Sequence, residues 1–235
     1  RAHAMTDKAH TLDRRRCRVC GACAKECYAG ALEIVGRDVT VEETLAEVLK
    51  DKPFYETSGG GMTLSGGEPL MQIDFTEALL RAAREAGLSN CMETCGFADY
   101  SRFERVIGLV DLFLYDIKET DPARHQEFTG APLTPILRNL RTLHAAGAAI
   151  QLRLPIVPGC NDRPEHLRAV AALARELPRL RGVEIMPYHR LGESKLGRMG
   201  LSGRAQAKAT PPTAEVVAQW VALLKAEGVT ATGPA

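Results

Sequence analysis

Four cysteines, Cys17, Cys20, Cys23 and Cys27, stand at the spacing C-x2-C-x2-C-x3-C in the segment CRVCGACAKEC. Two-residue turns of this kind bring three thiolates to one face of a 4Fe-4S cluster while the fourth sulfur points elsewhere. Tyr28 occupies the position where proline usually follows such a run. The competing reading is a four-cysteine zinc site. Zinc knuckles pair two C-x2-C units across a longer loop, so the spacing favours the cluster.

A second group of chemically capable residues falls at the ends of apolar segments: Gly66, Gly67, Glu68 and Pro69, then Glu93 and Thr94, Asp116 and Lys118, Arg153, and His189. Where such segments are parallel strands, these side chains converge on one rim, and mixed charges there grip a zwitterionic ligand. Each has a plainer reading. GGEP alone is often a turn, Glu93, Asp116 and Arg153 suit a structural ion-pair set, and His189 suits a satisfied core histidine. Their conjunction at successive strand ends points to a site.

The elements that must position them follow from periodicity. After Gly36, Thr40 with Glu43 forms a capping box, and Val41, Leu45, Val48 and Leu49 make one apolar helical stripe. A strand is predicted over 62–64. Asp74 with Glu77 is predicted to cap the next helix, whose Phe75, Leu79 and Ala82 face inward and which Gly87 ends. Further strands read at 90–94, 112–118, 150–157 and 183–189, with helices near 134–146, 164–177 and 214–227, the last presenting Val217, Trp220 and Leu224. This rhythm predicts a parallel sheet, as an α/β barrel or an open sheet, with the site at the carboxyl ends of the strands.

The chain of 235 residues, 45% hydrophobic, is long enough for one large α/β domain or two small ones. A formal net charge of +1 gives no field to attract nucleic acid or an anionic membrane. No segment has the apolar length of a membrane span and no signal peptide precedes the cysteines, so the expected location is cytoplasmic, where clustered cysteines favour metal over disulfides.

From about Cys17 to Gly200 the chain resembles the radical S-adenosylmethionine (SAM) enzymes that activate glycyl radical enzymes. The resemblance rests on FYETSGGGMTLSGGEPLMQ, METCGF, DLFLYDIK, RLPIVPGCND and MPYHRLGESK, in the family's order. It implies a partial (β/α)6 barrel over 37–235, preceded over 1–36 by half of a ferredoxin-like iron–sulfur insert. It also implies reductive cleavage of SAM and hydrogen abstraction from a glycine of a partner glycyl radical enzyme, with a flavodoxin or ferredoxin-type electron donor. Gly66, Gly67, Glu68 and Pro69 match the motif around the methionine amino group. Glu93, Thr94 and Asp116, with the Leu114 carbonyl, match positions that hold a monovalent cation. Lys118, Arg153 and His189 match residues around the SAM carboxylate, methionine chain and ribose.

The chain departs from that pattern in one respect. The C-x3-C-x2-C motif that ligates the SAM cluster is absent, and the remaining Cys91, Cys95 and Cys160 do not supply it. In the family that motif lies upstream of the insert. Ala29-Gly30-Ala31-Leu32 also follows Cys27 at the offset at which Ala2-His3-Ala4-Met5 would follow a cysteine just before Arg1, as successive ferredoxin halves would. Both features lead us to expect an amino-terminal truncation that removes the first barrel strand and leaves the chain alone inactive. Three other readings compete: an iron–sulfur electron-transfer protein, another radical SAM maturase, and a Schiff-base aldolase using Lys118.

Overall fold

The computed structural model describes residues 2–7, 9–192, 199 and 209–234, and the chain divides into two compact units. The first comprises residues 1–40 with 192–205, the second residues 41–191 with 206–235. The sequence reading places a boundary after Gly36; the compact units divide after Thr40. Residues 193–195 of MPYHRLGESK lie outside the described residues.

In the first unit, β1 (His3–Met5) pairs antiparallel with β2 (His10–Leu12), and the short α1 (Ala22–Lys25) lies within the cysteine segment. Ala2–Met5 thus contains a strand, whereas Ala29–Leu32 follow Cys27 in turns and bends. The two segments share composition but not conformation.

The second unit opens with α2 (Val41–Val48), a 3-10 turn at Leu49–Asp51 and α3 (Lys52–Ser58). There follow β3 (Gly61–Leu64), the 3-10 turn Pro69–Gln72 and α4 (Ile73–Glu85). The chain then runs through β4 (Ser89–Thr94), α5 (Tyr100–Val106), β5 (Leu112–Asp116), α6 (Pro122–Thr129) and α7 (Leu133–Ala145). It ends with β6 (Ile150–Ile156), α8 (Pro164–Glu176), β7 (Gly182–Pro187), α9 (Ala214–Ala226) and β8 (Ala231–Thr232). Strands β3 to β8 form one six-stranded parallel sheet in sequence order.

That order explains the layering. Right-handed crossovers between successive neighbours put the helices that connect the strands on the same side of the sheet. Period-two alternation then gives the strands one apolar and one polar face. Met92, Phe113, Tyr115, Leu152, Leu154 and Ile185 are wholly buried on the helix-covered face. Registers Glu93 with Leu114, Asp116 with Arg153, and Arg153 with Glu184 place the polar side chains together on the other. The five strands read from the sequence are present; β8 is a sixth.

Asp74 and Glu77 do not cap α4. Its start is set by the Pro69–Gln72 turn, capped by Glu68, while Asp74 (2.8 Å) and Glu77 (2.7 Å) both bind Arg105 on α5. Gly87, at φ 79°, does end it. Among the described residues no helix is long and apolar enough to cross a membrane.

Candidate functional site

The polar rim begins with the loop after β3. Gly66 adopts φ 126°, and no atom outside its chain neighbours lies within 4 Å of where a Cβ would stand on Gly66 or Gly67. The main chain there is open to a ligand that a side chain would screen. Glu68 turns back into the protein. Its carboxylate accepts the Thr94 hydroxyl at 2.9 Å, the Cys95 N–H at 2.8 Å and the Leu70 N–H at 3.4 Å. Thr94, buried on the helix-covered face, also accepts the Gly96 N–H at 3.0 Å. Glu68 and Thr94 are thus brought together as a structural pair that fixes the glycine loop to the end of β4.

Glu93, Asp116 and Arg153 share the opposite face. Arg153 reaches over β5 to an ion pair with Glu93, which also accepts the Ser65 hydroxyl. The Arg153 side chain is 15% exposed, and its buried Nε has no hydrogen-bond partner among the described residues. A ligand carboxylate would complete that guanidinium. Burial raises the Asp116 carboxyl above the ordinary carboxylate range, with Lys118 and Arg153 pulling it back. Lys118 Nζ lies 3.8 Å from the Asp116 carboxylate. It stands on the loop beyond β5, two residues past the strand end. The expected strand over 183–189 likewise stops at Pro187, leaving His189 exposed beyond it.

Several residues of the site escaped the sequence reading. Gln151 donates to Glu184 at 3.1 Å on the same polar face; alternation from Arg153 along β6 and β7 is the signal that would have found them. Cys91 and Cys95 flank Glu93 and are half-buried. Burial raises both thiols above their usual range, and the Glu68 carboxylate adds to this at Cys95. They sit there as neutral thiols.

In the first unit, Cys17, Cys20 and Cys23 line a cavity of about 1160 Å³, and Cys27 is not among its lining residues. The Val19 N–H donates to Cys17 Sγ at 3.4 Å, and Val19 holds φ 52°, an uncommon value for a β-branched residue. Gly21, at φ 75°, closes the turn where an added Cβ would stand 2.6 Å from Ile34 Cδ1. Soft donors, a polarising N–H and a roomy wall suit a cluster. Among the described residues no three His, Cys, Asp or Glu side chains gather to hold a metal ion.

An α/β unit with a single-wound parallel sheet and a charged rim at its strand ends defines a class, and comparison with known proteins identifies it. The sequence profile of the Radical SAM superfamily matches residues 14–171. The isethionate sulfite-lyase activating enzyme of Nitratidesulfovibrio vulgaris is 43% identical over 194 residues, 80% of this chain and 62% of that protein. The benzylsuccinate synthase activating enzyme of Thauera aromatica is 38% identical over 224 residues, 94% of this chain and 68% of that protein. A crystallised domain of pyruvate-formate lyase-activating enzyme from Bacteroides vulgatus superposes with a TM-score of 0.62 at 27% identity, covering 75% of this chain and 99% of that one. The chain belongs to the radical SAM superfamily and, within it, to the glycyl radical enzyme activating enzymes. It spans less than two thirds of the length of the first of these relatives.

Proposed function

We propose that the rim of the second unit binds S-adenosylmethionine as part of a cytoplasmic activating enzyme that installs a glycyl radical on a partner enzyme. The observation that carries this is the Arg153–Glu93–Asp116–Lys118 cluster beside the open Gly66–Gly67 main chain. SAM carries an amino group, a carboxylate and a sulfonium. Gly66 and Gly67 carbonyls are suited to accept from the amino group, while the free Arg153 Nε and Lys118 take the carboxylate. Charge pairing of that kind fixes the sulfonium in place. Glu93 and Asp116 suit a small monovalent cation beside it.

When bound, the 4Fe-4S cluster of such enzymes would supply the single electron for reductive cleavage of SAM, and the work left to this chain's rim would be to hold the amino and carboxylate groups so that the sulfonium is fixed. The three-cysteine motif that holds that cluster has no counterpart among this chain's seven cysteines. Cys17, Cys20, Cys23 and Cys27 suit a further cluster of the insert, fed by a flavodoxin or ferredoxin-type donor.

The test is calorimetric SAM binding to the full chain under anaerobic conditions. Binding is expected, weakened roughly tenfold to a hundredfold by Arg153→Ala, the value of a hydrogen bond to a charged group. Equal affinity in the two proteins overturns the assignment.

A further inference from the structure

Lys118 has no strand to hold it. On a free loop the main chain at Lys118 would have to be ordered on binding, at a cost in conformational entropy. The main chain beneath it is clamped instead. Asn161, 5% exposed, donates through Nδ2 to the carbonyls of Lys118 and Pro155, each at 2.7 Å, and accepts the Val157 N–H at 2.7 Å. One residue beyond Lys118, Glu119 is wholly buried between Arg163 at 2.6 Å and Arg124 at 3.4 Å. The same carboxylate accepts the N–H groups of Thr120 at 2.8 Å and Asp121 at 3.0 Å. Residues 118–121 are therefore bound to the 157–163 loop.

We propose that Asn161 is a positioning residue for Lys118, with Glu119 as the second anchor: the loop after β6 fixes the main chain from which the loop after β5 delivers its cation to the ligand. This rests on the reading of the rim as a SAM site. Asn161 touches no ligand group itself. It acts by fixing the main chain from which the Lys118 side chain extends, which lowers the loop's share of the ordering cost of binding.

A double-mutant cycle on SAM affinity, measured by calorimetry on the full chain, separates this from a purely structural role. Asn161→Ala and Lys118→Ala are each expected to weaken binding roughly tenfold, about 1.4 kcal/mol, with the double variant no weaker than Lys118→Ala alone. Losses that multiply, to roughly a hundredfold in the double variant, overturn the positioning role while leaving the SAM site intact. Lys118→Ala without effect overturns the positioning role, whereas loss of the SAM site itself is read separately from Arg153→Ala. If Asn161→Ala fails to fold, Asn161→Asp serves in its place. It keeps the acceptor for Val157 and loses both donors, and the same non-additivity is expected.

Discussion

Glu68 lies in the motif that drew attention to the rim, yet its carboxylate is spent inside the protein. With the Thr94 hydroxyl and the Cys95 and Leu70 N–H groups all pointing at it, its charge serves to pin a glycine loop whose main chain must be both open and fixed. Those donors are poorly served by an amide, since its NH2 end cannot accept. Glu68→Gln is therefore expected to lower stability by about 1–3 kcal/mol, the cost of an unsatisfied buried donor, and to weaken SAM binding through the displaced loop. Urea titration alongside calorimetry checks both; unchanged values would leave Glu68 free for ligand contact. Arg153 is the converse case. Its buried Nε has no hydrogen-bond partner among the described residues, so its removal should weaken the ligand more than the fold, where Glu93 keeps the Ser65 hydroxyl.

At the level of elements, the junction after β4 shows how tightly the sheet and site are joined. Gly96 sits at φ 76°, and an added Cβ would stand 1.9 Å from Tyr115 Oη. That phenol is wholly buried and donates to the Ile136 carbonyl on α7 at 2.7 Å, so it has nowhere to move. Gly96→Ala is expected to destabilise by about 3 kcal/mol or more, combining left-handed strain with overpacking. Tyr115→Phe in the same chain should recover part of the loss, because the clash goes and the strain stays; no recovery would place the whole cost in the backbone. These junctions also mark where sequence reading ends. The strands of the sheet were legible because one face is uniformly apolar, as in 150–156, where Ile150, Leu152, Leu154 and Ile156 are all buried. β8 was not, since Ala231–Thr232 is two residues with no pattern. The start of α4 was misjudged because the carboxylates of Asp74 and Glu77 are claimed by an arginine about thirty positions away. Asn161 and Glu119 carry no local signal at all, since their partners lie 43 and 44 residues distant. The cysteine spacing was plain because it is wholly local, four residues within eleven positions.

On the scale of the whole molecule, the formal net charge is +1 at pH 7 with a pI near 7.8, so general charge repulsion is small near neutrality and particular buried groups govern stability against pH. His166 leads on the acid side. Burial lowers it from 6.5 to about 4, with the nearby Glu119 carboxylate opposing and Arg163 assisting. The unfolded chain therefore takes up that proton first, and stability is full above pH 6.5 and lost as the pH falls from there to about 4. At 1.36 kcal/mol per pKa unit the loss approaches about 3 kcal/mol. Glu119 extends the limb. Burial raises its carboxyl, but the Asp121 N–H, Arg163 and the Thr120 N–H outweigh this and leave it lowered from 4.5, so its contribution also disappears as acid protonates it. Asp116, raised by burial, works in the opposite direction: the folded state gains its proton first, which offsets part of the acid loss. On the alkaline side burial raises Cys91, Cys95 and Tyr115. The unfolded chain ionises first there, and stability declines from about pH 9 upward. The expected profile is a plateau between about pH 6.5 and 9. The single tryptophan, Trp220, is buried in the second unit with all these groups, so its emission in urea titrations from pH 4 to 10 reports the unit concerned. His166→Asn should flatten the limb between pH 6.5 and 4 while leaving the alkaline decline in place; an unchanged acid limb in that variant would assign it to the carboxylates instead.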